Sequence, residues 1–164
     1  MARLLVVALL AAALTGAVTV AASQPVEFNV QIEAKLLRPD GGCPDGAFRC
    51  GTAEIDGFGQ AEWRFYLVSF VRTPECVSYD VVSTFTLADD SVLELDETGT
   101  VCGPGNSFFA TRPSSWGNPE AANGTWEFVS GTGQFSGLTG GTGFNHLRSH
   151  GADVRGVYAG SLEE

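Results

Sequence analysis

The sequence is poor in positive charge. Nine Lys and Arg residues stand against nineteen Asp and Glu in 164 residues, which gives a formal net charge of −10. The few basic residues form no cluster, and an acidic domain repels phosphate backbones. We therefore expect no nucleic-acid partner and no binding to anionic membrane surfaces.

Long apolar runs are also scarce, and the one present lies at the N-terminus. Arg3 precedes an uncharged apolar run at 4–14, and small residues then lead to Ser23, the pattern of a secretory signal peptide. We predict a signal peptide at 1–23 and a single domain at 24–164, secreted or retained in the cell envelope of a bacterium and free of the membrane after cleavage. The alternative is a retained anchor, but a membrane span needs about 20 apolar residues.

The predicted domain lacks helical periodicity, and apolar and polar residues alternate along it instead. Residues 26–36 place apolar and polar side chains in turn, the period of a half-buried strand. About eight such strands with short turns predict an all-β fold, either a sandwich or, as we favour, an eight-stranded antiparallel up-and-down β-barrel. The predicted strands are 26–36, 51–58, 63–71, 79–88, 91–96, 126–128, 139–147 and 154–162.

No Cys-x-x-Cys pair occurs, which disfavours a structural zinc site. Four cysteines in an exported domain indicate two disulfides with three possible connectivities. A two-residue turn at 89–90 would pair residues whose numbers sum to about 179, which sets Cys76 almost opposite Cys102. We therefore predict the bridges Cys76–Cys102 and Cys43–Cys50.

Motifs of the common catalytic and cofactor sites are missing. There is no Gly-x-Ser-x-Gly elbow, and no lysine follows the glycine pairs as in a phosphate-binding loop. His146 and His150 are four residues apart, but the pattern favours a surface turn there, and zinc would need a third ligand such as the nearby carboxylate of Asp153. We expect neither a metal nor a cofactor.

Two sets of residues are candidates for ligand binding. The long segment at 103–123 carries Phe108, Phe109 and Trp116, and we predict that it folds as a flap over one barrel mouth; a structural plug is the alternative. The other set, on one face of a predicted strand, comprises Glu62, Arg64 and Tyr66. This set would form either a polar cluster in the lumen or an external ion pair.

Glycines and aromatic residues alternate through 124–144, with Gly-Thr-Gly at 131–133 and again at 141–143. Together with 157–162, this stretch resembles bacterial members of the allene oxide cyclase-like barrel superfamily. The resemblance implies an eight-stranded barrel, often a dimer or trimer, with an apolar lumen for a small apolar molecule. It also implies an isomerase or cyclase that works by orienting its substrate.

The resemblance further implies a catalytic pair on the first strand. Plant cyclases carry Glu-x-Asn there, and Glu27 and Asn29 occupy the corresponding positions in this chain. Period two places both on one face and Phe28 and Val30 on the other. The pair reaches the lumen only if the polar face points inward.

Three functions are compatible with these patterns. The first is a secreted barrel that binds a small apolar molecule, with or without isomerase or cyclase activity. The second is a non-catalytic structural or interaction protein whose barrel is filled by its own side chains. The third is a lipocalin-like or avidin-like carrier, although the Gly-x-Trp that a lipocalin has near its first strand occurs late, at 124–126. In each, the glycines of 124–144 form bends and turns and the aromatics pack.

Overall fold

The structure is a computed structural model that describes residues 24–35, 42–102, 120–150 and 153–164. Eight antiparallel strands follow one another along the chain and pair in sequence order, and the last pairs with the first to close a barrel. This confirms the predicted barrel. The strands are β1 (Val26–Lys35), β2 (Arg49–Ile55), β3 (Gly59–Arg72), β4 (Cys76–Leu87), β5 (Val92–Cys102), β6 (Glu120–Gly131), β7 (Gly140–His150) and β8 (Asp153–Glu163).

Most strands are longer than the sequence pattern indicates. β5 continues six residues past the predicted end at 96, and β6 begins at Glu120 inside the segment predicted as a flap. β7 runs to His150, so the expected surface turn at His146–His150 is wrong: these residues continue the strand. Closure explains the extension, because in a barrel both edges of every strand are paired and hydrogen bonding favours long strands.

Alternation along every strand sends one set of side chains into the barrel. The interior is rich in aromatic residues, which meet in edge-on pairs: the ring centroids of Phe28 and Trp126 are 5.1 Å apart, and those of Phe85 and Tyr158 are 5.5 Å apart. Burial of such side chains is the main stabilising contribution in a small barrel. The largest fully buried aromatic side chains are Trp63, Trp126, Tyr79, Tyr158, Phe28, Phe65, Phe85 and Phe135.

Two glycines, one in the Gly-rich stretch at 124–144 and one on the last strand, accommodate the ring of Trp126. Gly143 on β7 and Gly160 on β8 are register partners, and a Cβ at either position would lie 2.5 Å from this ring. Real Cβ atoms do not approach so closely, so the indole packs where only glycine leaves room. The prediction that this stretch serves as scaffold is supported for Trp126 and Phe135; Phe144, by contrast, is 56% exposed and does not pack inside.

The disulfide predictions have separate outcomes. Cys43 and Cys50 are bridged, with their Cα atoms 5.6 Å apart, which confirms that pair. Cys76 and Cys102 are register partners on β4 and β5, as the hairpin arithmetic predicted. The bridge between them stays a prediction, since the side chain of Cys102 lies outside the described residues.

Candidate functional site

A fully buried carboxyl group lies in the middle of the barrel. Glu97 points inward from β5, between Val81 on β4 and Trp126 on β6, and it is 0% exposed. Asn145 donates to its Oε2 from Nδ2 over 2.6 Å, and the Tyr158 hydroxyl donates to its Oε1 over 2.8 Å. Both carboxyl oxygens are therefore held by neutral groups from β7 and β8.

A chain of side-chain hydrogen bonds extends this cluster across the barrel. The Ser83 hydroxyl lies 3.2 Å from the hydroxyl of Tyr158, and the indole nitrogen of Trp63 donates to Ser83 Oγ over 3.3 Å. Groups from β3, β4, β5, β7 and β8 are thus linked. We call Glu97, Asn145, Tyr158 and Ser83 the Glu97 cluster.

Burial dominates the ionisation of the cluster. It raises the pKa of Glu97 to about 7, because the charged form loses its hydration; hydrogen bonds from Ser83, Tyr158 and Asn145 oppose this increase. Burial and the neighbouring carboxylate raise the pKa of Tyr158 as well. Near neutral pH, Glu97 can therefore both donate and accept a proton, as a general acid and base must.

Two buried polar atoms beside Glu97 have no hydrogen-bond partner among the described residues. These are Oδ1 of Asn145, an acceptor, and Nε1 of Trp126, a donor. An unsatisfied buried polar group costs about 1–3 kcal/mol, so native structures contain few of them. The neighbours of Glu97 therefore keep one unused donor and one unused acceptor, next to a titratable carboxyl group.

A second buried ionisable group, Arg49, interacts with Tyr79. The guanidinium of Arg49 is 5.2 Å from the ring centroid of Phe48, and burial lowers its pKa to about 9. The pKa of Tyr79 is raised by burial and by Glu97, and lowered by Arg49. Tyr79 therefore interacts with both charged groups.

The catalytic pair implied by the resemblance does not reach the lumen. Glu27 and Asn29 are exposed on the outer face of β1, whereas Phe28 and Val30 are buried inside. The lumenal placement of the pair is therefore wrong. The reason is the hydrophobic effect: the apolar face of β1 fills the barrel.

Glu62, Arg64 and Tyr66 also lie on the outer face. Of the two alternatives, the lumenal cluster is therefore wrong and the external ion pair forms. The Arg64 guanidinium contacts Glu62 at 3.1 Å and Asp45 at 2.5 Å. Tyr66, hydrogen-bonded to Arg64, is the main cause of its raised pKa. Glu62 and Arg64 line an outer cleft of about 660 Å³ beside the Cys43–Cys50 bridge.

The other predicted ligand-binding residues are Phe108, Phe109 and Trp116, which lie outside the described residues, as does the predicted signal peptide. The Glu97 cluster, by contrast, was missed by the sequence analysis. A signal for it existed, since Leu93, Leu95 and Glu97 continue one inward-facing alternation. A charged residue in an apolar row marks a buried polar site, but the predicted strand at 91–96 ends one residue before Glu97.

Comparisons of this chain with protein-family models, curated proteins and solved structures found no match. The resemblance to the allene oxide cyclase-like superfamily therefore remains a prediction. The Cys43–Cys50 disulfide is consistent with an extracellular location. Among the described residues, no helix is long and apolar enough to span a membrane.

Proposed function

We propose that the protein binds a small, largely apolar molecule inside the barrel and holds a polar oxygen of that molecule against the Glu97 cluster. The observation that carries this proposal is a fully buried carboxyl group whose hydrogen-bond partner Asn145 and register partner Trp126 each keep a polar atom without a partner, Oδ1 and Nε1. A ligand carbonyl would accept from the indole, and a ligand hydroxyl would donate to the amide oxygen. The aromatic surroundings match an apolar ligand body.

The same geometry supports proton transfer as the chemistry. Glu97 in its ionised form would take a proton from a carbon next to the ligand carbonyl, and the resulting acid would return it to another carbon of the same molecule. Such an isomerisation balances without a co-reactant. The Trp126 Nε1–H would stabilise the negative charge that develops on the carbonyl oxygen. A secreted isomerase or cyclase is thus the activity that we propose for the site.

Native mass spectrometry of protein purified from its own secreted fraction tests the binding step. We expect a co-purifying small molecule in the wild type, and a reduced or absent adduct in Asn145→Leu, which removes the polar end of the site. Asp96→Asn is the matched control, because Asp96 is adjacent on β5 but exposed on the outer face. A wild type without any adduct, even after incubation with extracts of the producing cells, contradicts the proposal.

A second candidate function is a non-catalytic structural or interaction protein, possible as a dimer or trimer. The observation that favours it is the number of large aromatic side chains that already fill the described interior. The two candidates differ in what Glu97→Gln does to activity: it abolishes turnover in an isomerase, whereas a structural barrel has no turnover to lose. The gain in stability at pH 8 is expected in both cases.

A further inference from the structure

One row of side chains on the outer face of the barrel is nearly free of charge. Register partners place six outward-facing residues side by side across six strands, and Asp80 is the only ionisable one among them. Below this row lie the carboxylates of Asp96 and Glu127. The members of this outer row are Asp80, Thr98, Thr125, Phe144, Ala159 and Asn29.

A cleft of about 520 Å³ covers the β4–β6 part of the outer row. Its outward-facing walls carry four hydroxyl groups in two pairs: Ser78 and Thr100 are 3.2 Å apart, and Thr98 and Thr125 are 3.4 Å apart. Each hydroxyl can donate one hydrogen bond and accept two, so the pairs retain capacity for a ligand. The carboxylate of Asp80 also lines the cleft and accepts from the Ser69 hydroxyl over 2.5 Å.

Phe144 stands beside this cleft, next to Thr125 in the register. Its side chain is 56% exposed, although aromatic rings contribute most when they are buried. Its neighbours in the row, Thr125 and Ala159, are small and leave the ring accessible. The part of the row from Asp80 on β4 to Phe144 on β7 spans three strand spacings, or about 14 Å.

We propose that this cleft and Phe144 bind a neutral saccharide. A sugar ring has an apolar C–H face and a rim of hydroxyls: the face would stack on Phe144, while the rim would exchange hydrogen bonds with the threonines and with Asp80. A carboxylate that accepts from a hydroxyl makes a stronger hydrogen bond than a neutral acceptor. The length of the row fits an oligosaccharide better than a single ring.

The charge of the protein selects a neutral saccharide over an acidic one. The net charge is −10, and Asp80 lies in the cleft itself, so sulfated or uronic sugars would be repelled. This site is on the opposite side of the sheet from the Glu97 cluster. The saccharide proposal therefore rests on outward-facing side chains that the proposed barrel ligand would not touch.

Isothermal titration of the purified full chain with neutral oligosaccharides of glucose, mannose and N-acetylglucosamine tests the proposal. We expect at least one series to bind, more tightly with chain length up to the span of the row. Phe144→Ala should weaken that binding about tenfold, whereas Phe144→Tyr retains the ring and stays within about threefold of the wild type. Asp80→Asn should weaken it as well.

Val129→Ala is the matched control, because Val129 is a similarly exposed apolar residue on β6 but belongs neither to the cleft nor to the outer row. It should bind as the wild type does. Loss of binding in this variant, equal binding by Phe144→Ala, a preference for polyanionic sugars, or no binding by any series would each overturn the proposal. Circular dichroism of every variant confirms that the barrel remains folded.

Discussion

The ionisation of Glu97 should make the protein less stable as the pH rises from about 4.5 to about 7. The ordinary pKa of the carboxyl is 4.5, and burial raises it to about 7 in the folded protein. Between these values the unfolded chain has lost the proton while the folded chain keeps it. Because the folded state binds more protons in this window, the free energy of unfolding falls with increasing pH and becomes level above the folded-state pKa.

The size of the effect follows from the two pKa values. Each pH unit over which one proton is bound differently corresponds to about 1.4 kcal/mol, so Glu97 alone lowers the stability by about 3 kcal/mol between pH 4.5 and pH 8. That is a large share of the net stability of a small domain, which is about 5–15 kcal/mol. The other carboxylates of this acidic protein also titrate, so the effect must be isolated by comparing variants.

Glu97→Gln removes the titration and preserves the shape of the side chain. Its carbonyl oxygen can accept from Tyr158, and its amide can donate to Asn145 once that amide rotates. Urea unfolding at a series of pH values should show that the wild type loses about 3 kcal/mol more stability than the variant between pH 4.5 and pH 8. At pH 8 the variant should be the more stable protein.

The comparison includes an exposed carboxylate as its control. Glu54→Gln removes a charge from the outer face of β2 and leaves the Glu97 cluster intact, so its profile should keep the wild-type fall in stability. Parallel profiles for the wild type and Glu97→Gln would refute the reasoning, since they would mean that Glu97 has an ordinary pKa and is therefore hydrated. The disulfide is kept oxidised throughout, so that the unfolded reference state is the same.

Three further predictions concern packing, crosslinks and surface charge. Gly143→Ala should destabilise the barrel by about 1–3 kcal/mol in urea unfolding, because the new Cβ would collide with the buried indole of Trp126. Gly137→Ala is the control: it has open space around it and should change the stability by less than about 0.5 kcal/mol. Peptide mapping without reduction should recover a Cys76–Cys102 crosslink, and a crosslink from either residue to another cysteine would contradict the register argument. Arg64→Ala should cost less than about 1 kcal/mol, the value of an exposed ion pair; a larger loss would point to a buried role.

Prediction from the sequence succeeded where the signal was local. Alternation of apolar and polar residues decides that a segment is a strand, and turn length decides which residues face each other across a hairpin, as for Cys76 and Cys102. For Glu62 and Arg64, the sequence already offered the external ion pair as one of two alternatives. The errors on Glu27 and Asn29 came from placing a residue pair by resemblance, against the local alternation of apolar and polar residues.

The sequence by itself therefore determined that the chain forms about eight strands in a sandwich or a barrel, and it favoured a short bridge from Cys43 to Cys50. Only the tertiary structure decided what lies at the centre of that barrel. Glu97 lies on β5. Its hydrogen-bond partners Asn145 on β7 and Tyr158 on β8 are 48 and 61 residues further along the chain. Closure of the sheet brings them within hydrogen-bonding distance, and no local pattern encodes a contact that depends on how the first strand meets the last.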